Sequence, residues 1–384
     1  MGSLMPLLPL ILRQEKGLTE IQIGTALSLM SVASLFSPAL LTLMADTHFD
    51  PRKILAAALA SSAAALGALA FSSHQTLVIL LVGLYGLALV AVVPLQDGFY
   101  FAAARQQVSL DQATPSYPLV RVWGTVGFIV PSLLFLIASH LGAPVSAGLY
   151  CAIIFCLAGA VNAWFLPPLP KKIPHQKKSL PTLDATRALL SRDGIPFCIA
   201  LALASLASTF FYGFFPLYLK DVTGIGEAWV GPVINYGVFL EIFVTLSIPW
   251  MIAKIGVKSI FVLGFAVMAL RMFVLAASPP IAVVVLVQTF HGLEVAALFI
   301  LPAIYLNRLA GDQFQSSMQG VYAMFVAGTS KVIGYTLAGK IAAGSLSSLF
   351  LTGGTLAALA SIITLIFLRR THDSLHSSGT TPPT

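Results

Sequence analysis

Twelve apolar runs, separated by polar, proline- or glycine-bearing breaks, fall at roughly 1–12, 20–45, 54–72, 76–100, 118–140, 145–166, 195–219, 228–253, 260–277, 281–306, 318–343 and 346–368. Most are long enough to cross a bilayer as helices, since about 20 apolar residues span a ~30 Å hydrocarbon core. The pattern predicts an all-α polytopic membrane protein. Between the sixth and seventh runs lies a polar linker, 167–193, rich in proline at first. Its second half predicts a short amphipathic helix at the membrane interface. The tail, 369–384, is polar and expected to be disordered. The first run is the exception: twelve residues reach only about 18 Å as a helix. The expectation is a truncated first helix, with at least about 13 further residues encoded upstream of Met1. Reading the coding frame upstream tests it.

Composition narrows the class. With 58% hydrophobic and 9% charged residues and a mean hydropathy of +0.92, the chain falls far from a soluble globule, which carries about 25% charged residues. So much apolar surface equally excludes a disordered chain. The formal charge of +7 is not a nucleic-acid footprint, because the basic residues are scattered over loops without an aromatic-interleaved patch. Fourteen of the 21 Lys and Arg residues fall on one side of the predicted spans, including Arg52, Lys53, Lys254, Lys258 and the six of the linker. Arg13, Lys16 and Lys220 fall on the other. That asymmetry predicts a multi-pass protein whose linker and C-terminus face the cytoplasm. Cys151, Cys156 and Cys198 all sit in apolar runs and are expected to be structural thiols.

The chain repeats itself. Pro9-Leu10-Ile11-Leu12 is followed by Gly17, Glu20 and Gly24, and Pro216-Leu217-Tyr218-Leu219 by Gly224, Glu227 and Gly231, every spacing agreeing at an offset of 207. The repeat predicts two six-helix bundles, 1–166 and 194–368, joined by the linker and in parallel orientation.

Ionisable groups at the bilayer centre cost about 2.5–3.5 kcal/mol each on insertion scales, which makes them functional candidates. Asp97, Arg121, Glu241, Arg271, His291, Glu294 and Lys331 stand inside spans. Arg121, Thr125 and Phe128 at i, i+4 and i+7 share one helix face. That face offers a fork of donors, a hydroxyl and an aromatic plate, a set suited to a polar ligand with a ring-shaped body. The alternative is a structural Arg121–Asp97 pair. His291 and Glu294 at i, i+3 also share a face, with Arg271 on the preceding span. Burial favours a neutral glutamic acid, and an approaching arginine favours the carboxylate. This is either a proton switch or a static network.

On these residues the chain resembles the lactose permease branch of the major facilitator superfamily, including its nucleoside:proton and phenylpropionate permeases. The matching stretches are PLQD (94–97), RVWGTVGF (121–128), the Arg271 span, HGLEV (291–295) and Lys331. MADTHFDPRK (44–53) resembles the superfamily's loop motif, retaining Asp46, Arg52 and Lys53, but with Thr42 and Thr47 where glycine and arginine are usual. The resemblance implies a proton-coupled symporter of the bacterial inner membrane, probing its ligand with Asp97 and Arg121 and stacking Phe128 on it. Arg271, His291 and Glu294 are implied in proton coupling, Glu294 as carrier. Glu241 lies one turn beyond the acid of lactose permease and fits the nucleoside symporters better. Gly213 stands where lactose permease has the acidic partner of the Lys331 equivalent, so Lys331 is expected to turn to another carboxylate such as Glu241, or to water.

A membrane enzyme is the competing class, but neither Gly-x-Ser-x-Gly nor His-Glu-x-x-His occurs, and His291 has no second histidine one turn away for a metal. The expectation is therefore a monomeric, non-enzymatic transporter of a small hydroxyl-bearing solute, a sugar or nucleoside. It needs no cofactor or metal, has the bilayer as its setting and takes the proton as coupling ion. An aromatic-acid permease, a non-transporting sensor and an inactive truncated paralogue are the alternatives.

Overall fold

A computed structural model describes residues 2, 4–36, 50–90, 92, 95, 96, 99, 100, 103, 117–166, 182–192, 194–310 and 315–368. All regular structure among them is helical. In the first half α1 is Leu8–Gln14, α2 Glu20–Val32 continued by a 3₁₀ turn Ala33–Leu35, α3 Pro51–Phe71, α4 Gln75–Leu89, α5 Tyr117–His140 and α6 Ala147–Phe165. In the second half α7 is Gly194–Asp221. The long helix Glu227–Ala276 is broken at Gly256 into α8 (227–255) and α9 (257–276). The helical runs 281–310 (α10) and 315–342 (α11) follow, and α12 is Leu346–Phe367. Seven stretches meet the length and apolarity of a membrane span, Glu227–Ala276 counting once for α8 and α9; Glu20–Leu35 and Gln75–Leu89 are shorter. The expected amphipathic helix is Thr182–Leu189, which buries Ala185 and Leu189 and packs on the first stretch of α11. Asp46, Asp97, the first part of the linker and the tail lie outside the described residues.

Local chemistry sets the boundaries. Thr19 and Gln22 form a reciprocal capping box at the start of α2, and the Asp50 and Ser345 side chains cap α3 and α12. Gly256 breaks its helix at φ 77°, a conformation that costs a side-chain-bearing residue strain. The repeat survives in the backbone: Gly17 and Gly224, 207 positions apart, both turn the chain at positive φ, 64° and 70°.

The repeat also governs how the halves meet. Glycines 24 and 231 are both contact points: a Cβ at Gly24 would lie 2.7 Å from the Gly339 Cα, and one at Gly231 would lie 3.1 Å from the Ser132 Cβ. One turn on, Ser28 donates to the Val332 carbonyl at 2.9 Å and accepts from Thr336 at 3.0 Å. Its repeat partner Asn235 donates to the Ile129 carbonyl at 3.4 Å. Thus α2 closes on α11 and α8 on α5 by related contacts. Small residues let backbones approach where lipid supplies no hydrophobic drive between helices.

Above these seams the turn between α1 and α2 is fixed to its own half. Glu15 accepts from the Ser146 N–H, and Lys16 donates to the Ala70 and Ser72 carbonyls. Arg13 lies 3.5 Å from Glu20, as Lys220 lies 2.9 Å from Glu227 in the repeat-related position. Arg13 alone also reaches across, donating to the Asp221 carboxylate of the other half. Glu20 is thus a fallback partner if the halves part. An exposed pair of this kind is worth up to about 1 kcal/mol, roughly a fivefold change in population. Arg13→Glu is expected to raise labelling of a cysteine placed at Ser28 by a membrane-impermeant thiol reagent by up to that factor. Adding Asp221→Arg should restore the original rate. Unchanged labelling in Arg13→Glu would remove the latch.

The second half holds a dense aromatic core. Phe197 stacks on Tyr305 with centroids 4.4 Å apart, and Phe211 on Phe215 likewise at 4.4 Å. Large apolar side chains such as Phe71, Trp123, Leu246 and Ile366 point outward, the arrangement a lipid solvent demands. None of the three cysteines is in a disulfide among the described residues; Cys156 is buried and the other two are half-buried.

Candidate functional site

Four ionisable side chains from three helices form one line. Arg271 of α9 and Glu294 of α10 are each 1% exposed, with Nη2 and Oε2 2.7 Å apart. They are close in distance but off-line: neither Glu294 oxygen, nor Nε or Nη2 of Arg271, makes an aligned hydrogen bond. The attraction is therefore coulombic, in a medium where it is strong. The other guanidinium nitrogen, Nη1, faces His291 Nδ1 at 3.4 Å and Gln288 Oε1 at 3.5 Å. An arginine only donates, so Nδ1 accepts, and the network assigns the imidazole proton to Nε2. His291 Nε2 in turn faces Glu241 Oε2 of α8 at 3.5 Å, and Glu241 is 27% exposed. The line Glu294–Arg271–His291–Glu241 runs from a sealed carboxylate to an accessible one.

Backbone geometry makes this approach possible. A Cβ at Gly237 would lie 2.9 Å from the His291 Cβ, and one at Gly292 would lie 3.0 Å from the Glu241 Cα. Without those two glycines α8 and α10 could not bring Glu241 against His291. The run 281–310 is irregular at this point, a 3₁₀ turn (Val287–Phe290) entering His291 and a π segment (Ala296–Ile300) following Glu294. Irregular turns of this kind cluster at working sites.

Three participants carry no charge and were not singled out in the sequence. The Phe211 ring lies 3.7 Å from the Arg271 guanidinium carbon, a buried cation–π contact. Gln288 accepts from Arg271 and donates to the Val284 carbonyl at 2.9 Å. Tyr212 sets its ring edge-on to His291 with centroids 6.1 Å apart. Gln288 could have been found from its place one turn before His291 on the same helix. Nothing marks Phe211 among the aromatics of α7.

The remaining expected residues divide. Thr125 and Phe128 are half-buried on α5; Arg121 is on the same helix. Glu241, expected in the ligand-binding set and as one possible partner of Lys331, faces His291 rather than Lys331, because the glycine contacts bring α10 against it. Lys331 is half-buried and makes no ion pair among the described residues; its ammonium lies 5.9 Å from the Phe299 ring centroid. In the first turn of α3, Arg52 binds its N-cap Asp50 bidentately and donates to the Leu166 carbonyl at the end of α6 at 2.8 Å. The Arg52 side-chain hydrogen bonds to Asp50 hold that carboxyl below its usual range. Lys53 is exposed.

A sequence model described as the MFS_1 like family matches residues 1–352. YegT of Escherichia coli (strain K12), whose assignment as a nucleoside transporter is itself provisional, is 25% identical over 342 residues, covering 85% of this chain and 77% of its own. A maltose permease of Geobacillus stearothermophilus is 26% identical over 330 residues, covering 84% and 79%. Among solved structures, a mutant of the nucleoside transporter NupG superposes with a TM-score of 0.86 over 96% of each chain at 17% identity.

Proposed function

The chain belongs to the MFS_1-like family, a family of membrane-spanning transporters with the major facilitator fold, and from that premise we propose that it is a proton-coupled symporter of a nucleoside or sugar. It resides in a bacterial inner membrane as a monomer, with linker and C-terminus on the cytoplasmic side. The bundles 1–166 and 194–368 rock about a midplane site. Asp97, Arg121, Thr125 and Phe128 hold the solute from the first bundle, and Glu294 carries the proton in the second. The observation that supports this most is the sealed Arg271–Glu294 pair continued through His291 to the accessible Glu241.

The line allows a coupling cycle. Arg271 stands beside Glu294 in this state, and in the proposed cycle the guanidinium and the proton alternate as partners of that carboxyl. Motion of α9 against α10 thereby sets whether the proton is bound. Glu241, one imidazole away, lets solute contact at the cavity bear on His291 and so on Arg271.

Uptake into proteoliposomes under an imposed pH gradient, across a panel of nucleosides and sugars, tests the proposal. Accumulation of one class that collapses with a protonophore is expected; accumulation indifferent to the gradient would sink the coupling. Within that assay Arg121→Lys is expected to lose binding with expression intact, because an ammonium cannot reproduce the planar fork. Near-native affinity would remove Arg121 from the site.

A further inference from the structure

Tyr335 of α11 occupies, in the second half, the place that Phe128 has in the first. Gly127-Phe128 and Gly334-Tyr335 are 207 positions apart, the offset of the repeat. The structure keeps that register in space. Gly2 packs against the Phe128 backbone, and Thr209, its repeat partner on α7, packs against Gly334. Ser132 meets Gly231 as its repeat partner Gly339 meets Gly24.

The Tyr335 ring fills a space left by a missing side chain. A Cβ on Gly213 of α7 would lie 2.9 Å from the ring and 3.3 Å from a methyl of Leu27 on α2. The ring thus stands where α7 and α11 of one half meet α2 of the other, just inside the Gly24–Gly339 seam. Its hydroxyl makes no hydrogen bond to any described residue, yet it is not among the atoms sealed from solvent. A phenolic O–H within a span needs a partner or water, and the half-buried Tyr335 hydroxyl leaves that place open to one. Lys331, one turn earlier, shares that face of α11.

We propose that Tyr335 is a solute contact and a specificity determinant, the second aromatic wall of the site whose first wall is Phe128. The ring stacks on the solute's ring and the hydroxyl hydrogen-bonds one of its polar groups. The inference rests on the transport reading above and adds to it a residue of α11.

The test is uptake kinetics of the full-length protein in proteoliposomes. Tyr335→Ala is expected to raise KM for the transported solute on the order of tenfold, the worth of an aromatic stacking contact, with a smaller change in maximal rate. Tyr335→Phe keeps the ring and is expected to recover most of that loss while weakening discrimination against analogues lacking one hydroxyl. If both variants show the unaltered KM, or if Tyr335→Ala lowers only the maximal rate, Tyr335 is packing alone and the proposal fails. If the unaltered protein takes up no nucleoside or sugar, the transport reading falls and takes Tyr335 with it. Normal uptake with unchanged KM overturns Tyr335 by itself.

Discussion

Glu294→Gln is expected to exchange solute across the membrane but not to accumulate it against a gradient. The substitution fixes the neutral form of a side chain that is 1% exposed, so the group can neither take up nor release a proton. Exchange needs only the reorientation of a protonated, loaded carrier; net uphill uptake needs proton release. The variant also leaves Arg271 buried without its counter-charge, and breaking a buried pair from one side costs about 3–5 kcal/mol. Gln288, His291 and the Phe211 ring remain around the guanidinium and offset part of that loss. Reduced thermal stability is therefore expected alongside the transport defect. Arg271→Gln/Glu294→Gln removes both charges and should recover stability without recovering accumulation, which separates coupling from folding. Intact accumulation by Glu294→Gln would transfer the proton to Glu241.

Gly24→Trp should hold the α2–α11 seam open. A Cβ at this position meets the Tyr335 carbonyl oxygen at 2.5 Å and the Gly339 Cα at 2.7 Å. Both are backbone atoms of a packed helix, so no rotamer change relieves the contact; an indole demands that the helices separate. The Ser28–Val332 and Ser28–Thr336 hydrogen bonds part with them. Net uptake should be lost, while solute binding in detergent remains measurable. A cysteine at Ser28 should become reactive to impermeant thiol reagents in intact cells. Gly24→Ala is expected to show the same changes in weaker form. Wild-type uptake by Gly24→Trp would mean that closure of this seam is not a step of the transport cycle.

Helix positions and turns were legible without the structure because each rests on local physics. Apolar run length placed the spans, and the caps at Thr19, Asp50 and Ser345, first seen in the structure, rest on equally local side-chain chemistry. The repeat at 207 was visible in Gly17/Gly224, Glu20/Glu227 and Gly24/Gly231, and it extends to Ser28/Asn235 and Phe128/Tyr335, pairs that emerge only when contacts show what each residue does. The buried Arg271, His291 and Glu294 could also be picked out, since a charge in a span is too costly to be incidental.

Partnership was legible for Arg271 with His291 and Glu294, and not beyond them. Helical periodicity says which residues share a face of one helix, but not which helix that face meets. The choice between His291 and Lys331 as the partner of Glu241 was made by Gly237 and Gly292, which carry no chemistry of their own and act only by letting α8 and α10 touch. Gly213 likewise reads in sequence as a missing acid; in the fold it is the space into which Tyr335 packs. The sequence by itself determined the elements, their repeat and the charged residues worth watching. Only the tertiary structure decided who faces whom, because in a membrane the closeness of two helices is set by the smallest side chains between them.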